Sequence, residues 1–178
     1  MNSKLLFTLL FLGFTLVFSS CKKTEDVTPT VSKTDLISRK WGISESYVEG
    51  DGKKVVIYGA ARPADLTVTT SITANDFYLF SKDGKLDVYT DKDKKTTSGT
   101  WKFVNNEAQI QLLYGTANQT LSIDALTDKA SELSISVTVA NAATASQDEK
   151  NVILIGAFAG VVTNSTAKVK FGLKFIAK

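Results

Sequence analysis

The stretch from Phe77 to Leu113 limits what this chain can fold into more than any other. It holds four short runs with the character of strands: Phe77-Tyr78-Leu79-Phe80, Leu86-Asp87-Val88-Tyr89, Gly99-Thr100-Trp101-Lys102-Phe103 and Ala108-Gln109-Ile110-Gln111-Leu112. Asp83-Gly84 supplies the positive φ of a tight hairpin turn, and Asn105-Asn106 marks another turn. A polar run from Thr90 to Ser98 separates the middle pair. Four such runs in succession spell an antiparallel meander. Alternation at period two puts Leu86 and Val88 on one face and Lys85, Asp87 and Tyr89 on the other. Phe77 and Leu79 are expected to join the inner set, which leaves Tyr78 and Tyr89 facing outward.

The rest of the chain extends this pattern. Trp41 to Val48 reads as a first strand, Gly50-Asp51-Gly52 as a turn and Lys53 to Tyr58 as a second strand. Gly59 to Asn75, broken by Arg62-Pro63, reads as a loop with room for one short strand. Gln119 to Ile123 is a strand, and Thr127-Asp128-Lys129 turns into the clearest half-buried strand. There Leu133, Ile135, Val137 and Val139 alternate with Ser134, Ser136 and Thr138. The last strand, Ala167 to Ile176, sets Val169, Phe171, Leu173 and Phe175 against Lys168, Lys170 and Lys174. Two helical pieces are expected. One is a short turn over Thr34–Arg39 capped by Thr34. The other starts at the capping box Ser146-Gln147-Asp148-Glu149 and runs from about Gln147 to Ala159, burying Val152, Ile155 and Phe158. The rival for this second piece is a buried strand, Asn151–Ile155, that turns at Gly156.

The chain has 178 residues, enough for one domain plus extras. Residues 1–20 carry Lys4, an apolar run from Leu5 to Phe18 and the small pair Ser19-Ser20, the pattern of a secretory signal. That run is shorter than the roughly 20 residues a spanning helix needs. Phe18-Ser19-Ser20-Cys21 resembles a bacterial lipobox, with Phe18 in place of the usual Leu or Val. The resemblance implies that Cys21, the only cysteine, is lipidated and becomes the first mature residue. Residues 21–33 then form a polar tether, and residues 34–178 form the domain. The implied address is the cell envelope, as an outer-membrane lipoprotein on the periplasmic side or at the cell surface.

Composition narrows the chemistry. Loss of the leader removes Lys4, so 21 basic residues become 20 against 18 acidic ones, and no basic footprint for nucleic acid stands out. There is no histidine, which removes histidine-based acid–base catalysis and most zinc sites. No phosphate-binding glycine loop or calcium loop appears, and no cofactor is implied. Glu45, Glu107 and Glu132 are nominal candidates for a carboxylate pair, but nothing in the sequence brings two of them together. A non-enzymatic protein is the reading that remains.

Trp41, the block Asp76 to Lys85, Ser98-Gly99-Thr100-Trp101-Lys102-Phe103 and Leu126-Thr127-Asp128 together resemble the lipocalin-like domains of Gram-negative lipoproteins. Arg39 stands where that family usually has glycine, and the Ala140–Ser165 insertion departs from its pattern. The resemblance implies an all-β fold, an antiparallel up-and-down barrel or strongly curved sheet, here with one short helix near the C-terminus. Trp41, Trp101 and Phe103 are then either core aromatics or the wall of a ligand cavity, with core packing preferred. Tyr78 and Tyr89 are candidates for an outer contact surface for a glycan or protein. Two functions follow: a structural or partner-binding envelope lipoprotein with a filled interior, or a module that binds a glycan or a small apolar ligand. Interior volume separates them.

Overall fold

The computed structural model describes residues 31–68, 72–90 and 94–178. The expected leader, Cys21 and the expected tether as far as residue 30 lie outside the described residues, as do residues 69–71 and 91–93. Most of the fold is one antiparallel sheet of nine strands. These are β1 (Lys40–Gly50), β2 (Lys53–Tyr58), β3 (Phe77–Phe80), β4 (Lys85–Thr90), β5 (Lys94–Val104), β6 (Gln109–Tyr114), β7 (Ala117–Leu126), β8 (Ala130–Thr138) and β9 (Lys168–Ala177). A short helix α1 (Lys33–Ile37) precedes them, and α2 (Gln147–Phe158) lies between β8 and β9.

From β3 to β9 each strand pairs with its successor, as the alternation predicts. The up-and-down order breaks at β2. β1 pairs with β2 through Ser46–Gly50 and with β3 through Lys40–Gly42, while its other edge pairs with β9 from Trp41 to Glu49. The connection from Gly59 to Asp76 therefore carries the chain from one half of the β1 edge to the other. Because β9 pairs with both β8 and β1, the hydrogen-bonded order returns to the strand it left.

The β3–β4 register corrects one expectation. Phe80 pairs with Leu86, Tyr78 with Val88 and Phe77 with Tyr89. Tyr78 and Phe80 therefore share the inner face with Leu86 and Val88, while Phe77 and Leu79 go outside. A one-residue difference in register moves a whole strand to the other face, and the all-apolar run 77–80 has no polar residue to fix it.

Packing falls into two clusters. The first, around Trp41, Phe80, Leu86, Trp101, Ile110 and Phe175, is filled. Ile37 of α1 belongs to it, and the Trp41 Nε1–H donates to the Ile37 carbonyl at 2.8 Å. The cap of α1 is Ser32 rather than Thr34: its hydroxyl accepts from the Asp35 N–H. The second cluster joins Val48, Val55, Ile57, Val137 and Val169 to Val152, Ala159 and Val161, so α2 packs on the sheet. Both arms of the capping box at Ser146 and Glu149 form, and Gly160 ends the helix at φ +66°. Val152 is buried and Ile155 half-buried, whereas Phe158 is 68 % exposed.

Candidate functional site

The residues singled out by sequence divide between packing and surface. Trp41 is 1 % exposed, with the Arg39 guanidinium 5.6 Å from its ring centroid. Trp101 donates its Nε1–H to the Ser81 carbonyl at 3.0 Å and meets Phe80 and Phe103 edge-on at 5.8 and 5.3 Å. Trp41 and Trp101 are buried in the core, and Phe103 is half-buried against it. Tyr78 is not on the outside: its ring meets Phe175 edge-on at 5.7 Å. Tyr89 does lie outside, stacked on Phe77 at 4.3 Å. The two tyrosines occupy opposite faces and form no joint platform, because their cross-strand partners are Val88 and Phe77. Cys21 lies outside the described residues.

Of the three glutamates, two come together on the outer face. The Tyr47 hydroxyl donates to Glu132 Oε1 at 2.5 Å, and Lys54 Nζ lies 3.7 Å over the Tyr47 ring. Glu45 pairs with Lys174 at 2.9 Å and with Lys54 at 3.2 Å, and Lys174 in particular holds its carboxyl below the usual range. Ion pairs and hydrogen bonds occupy both carboxylates. Glu107 sits apart in the β5–β6 turn. Among the described residues no group of three or more His, Cys, Asp or Glu is placed to hold a metal ion.

The site that sequence reasoning did not find lies between α2 and the inner sheet face. A cavity of about 200 Å³ is walled by Leu121, Ile135, Phe171 and Leu173 of the sheet and by Val152 and Ile155 of the helix. Gln119, Asp148 and Asn151 are its polar members. Tyr114 stands behind Gln119 and donates to its Oε1 at 3.1 Å. Burial pushes Tyr78 and Tyr114 above their ordinary pKa, with the Asp148 carboxylate adding to the shift of Tyr114. Both therefore stay neutral donors at physiological pH.

Beside the cavity the sheet parts. β7 and β8 pair only from Ser122–Ser134 to Leu126–Ser131. Beyond Ser122 and Ser134 the strands keep their outer partners, β6 and β9, but not each other. A polar groove of about 340 Å³ occupies this split and reaches the start of α2 at Ser146. Cavity and groove share Gln119, Ile135 and Asp148. The signal available in the sequence was the company α2 keeps: a capped apolar helix inserted before the last strand has to lie on the sheet, and its long side chains need not fill the space beneath it.

Set against protein families, curated proteins and solved structures, the chain matches none of them.

Proposed function

We propose that this chain is a non-enzymatic binding protein of the cell envelope, tethered to the membrane through lipid on Cys21, that holds a small, mostly apolar ligand between α2 and the inner sheet face. One observation carries the reading: the cavity of about 200 Å³ with apolar walls and a few polar groups at one side. A dry apolar cavity of about 150 Å³ accepts benzene. The space therefore suits a ring with a short side arm. An apolar body with a few placed hydrogen-bonding groups is the usual character of a small-molecule site. A wholly filled interior would have favoured the structural role, and the filled end around Trp41 fits that alternative only for half of the molecule.

In the same reading β1 and β3–β9 form a lipocalin-like barrel, with β2 as a flap on the outer end of β1. The β1–β9 pairing supports this, and so does the need of a long sheet to avoid open edges. A second reading rests on a different observation. Leu154 and Phe158 are exposed beside Thr67 and Val68, an apolar spot suited to a protein contact.

The test uses the lipidated chain in nanodiscs, with empty nanodiscs as the reference. Fluorine NMR of ring-fluorinated phenylpropanol should detect binding to the protein, and Ile155→Trp, which fills the cavity, should abolish it. Binding unaffected by Ile155→Trp would remove the cavity from the account. For the tether, Cys21→Ala should move the protein out of the membrane fraction, since stable attachment requires acyl chains at about 0.8 kcal/mol per buried methylene.

A further inference from the structure

We infer that ligands reach the cavity sideways, through the split between β7 and β8, and that the site rejects a carboxylate head on its apolar ligand. This rests on the binding role proposed above and adds a way in and a head-group chemistry.

The way in follows from the ladder. Over most of the sheet, neighbouring strands are stitched by backbone hydrogen bonds that a passing ligand would have to break. β7 and β8 are stitched only at the Leu126–Ser131 end of their contact. Past Ser122 and Ser134 their facing edges are free of each other, and the groove there is continuous with the cavity through Gln119 and Ile135. At one end of the sheet α1 and the cluster around Trp41 fill the interior, and α2 packs on the sheet beside the cavity.

The head-group chemistry follows from what the two spaces share. Gln119 Oε1 already accepts from Tyr114, so its Nε2 hydrogens are left to point elsewhere. Asp148 supplies a carboxylate, and no residue lining the groove is basic. Glu149, the other acid there, is occupied by the Ser146 N–H at 2.8 Å. A neutral hydroxyl can take a hydrogen bond from Gln119 and give one to Asp148, and the hydroxyls of Thr120, Ser122, Ser134 and Ser136 line the same groove. An ammonium meets the carboxylates of Asp148 and Glu149. A carboxylate would sit against Asp148 with no cation to offset it.

Three ring-fluorinated probes with one apolar body separate these outcomes: phenylpropanol, phenylpropylamine and phenylpropionate, each titrated against the lipidated chain in nanodiscs by fluorine NMR. We expect the alcohol and the amine to bind, and the carboxylate to bind at least about tenfold more weakly than either. Asp148→Asn should bring the carboxylate to within a few-fold of the alcohol. Thr120→Trp, on the exposed outer rim of the groove, should slow exchange between bound and free alcohol by about tenfold, because it narrows the split without touching the cavity wall. If probes bind and Ile155→Trp abolishes binding, yet the carboxylate equals the alcohol, the head-group assignment is overturned while the binding role stands. If exchange through Thr120→Trp is as fast as in the parent, the sideways path is overturned in the same way. If no probe binds, the binding role falls and this inference with it.

Discussion

Tyr47 is 2 % exposed although it stands on the outer face of the sheet. The reason is local. Gly172 on β9 leaves room for the ring, since a Cβ there would lie 2.2 Å from Tyr47 Cζ. Lys54 covers the ring from above, Glu132 accepts a hydrogen bond from the hydroxyl, and Lys170, itself paired with Asp124 at 2.9 Å, stands alongside. Burial first, and the Glu132 hydrogen bond second, push the phenol up to about 12 from 10.0. The folded pKa lies above the unfolded one. The contribution to stability is therefore complete below about pH 10 and is lost as pH rises through about 12. Urea unfolding should show a stability that falls between pH 9 and pH 11.5, and in Tyr47→Phe the fall should be shallower. At neutral pH the same variant should lose roughly 1 kcal/mol, the net worth of one hydrogen bond. Equal alkaline slopes in the two proteins would show that the hydroxyl does not couple folding to protons.

At the scale of elements, α2 sets two effects of opposite sign against each other. Gly156 costs the helix up to about 1 kcal/mol relative to alanine. Yet a Cβ at Gly156 would lie 2.7 Å from Val169 Cγ1 and 3.2 Å from Val162 Cγ2, and Val169 is fully buried in the strand beneath. Overpacking of a close-packed site typically costs about 1–3 kcal/mol. The clash wins on these magnitudes, so Gly156→Ala should lower the thermal midpoint; a raised midpoint would mean the helix rides higher off β9 than described. Ser146→Ala, which breaks the capping box, should cost about 1 kcal/mol without touching the packing. The cap and the helix it starts were legible in the sequence because they depend on neighbours three residues apart. The helix face was legible only in part. Val152, Leu154, Ile155 and Phe158 ring an almost evenly apolar helix, so periodicity could not decide that Phe158 faces water. The same limit hid the β3 register, where four apolar residues in a row fit either face, and the return of β3 to β1, which depends on a long connection rather than on a turn. Strand positions with one polar face, such as β8 and β9, were read directly from alternation. The cavity was not legible, because empty space depends on how far α2 stands from Leu121 and Leu173.

The whole molecule combines a filled end with a hollow one, and this difference should govern its motions. Around Trp41, large side chains from α1, β1, β3, β5 and β9 interlock. That end cannot loosen without breaking the β1–β9 seam, which joins the two ends of the chain order. Around α2 the contacts are thinner: the helix covers a cavity, the β7–β8 ladder is unmade beyond Ser122 and Ser134, and Leu154 and Phe158 are more than half exposed. Local openings draw on regions with few buried contacts and free backbone edges. In native-state hydrogen exchange, the amides that join β1 to β9 should exchange only through global unfolding. Those of α2 should open at about 2 kcal/mol or more below that level, and the β7 and β8 amides facing the split should be among the fastest within strands. Saturation with phenylpropanol should slow the α2 amides and leave the β1–β9 amides unchanged, since a ligand stabilises only the openings that release it. Exchange of α2 at the global rate without ligand would mean that the helix is locked to the sheet. The cavity would then be a packing void rather than a site.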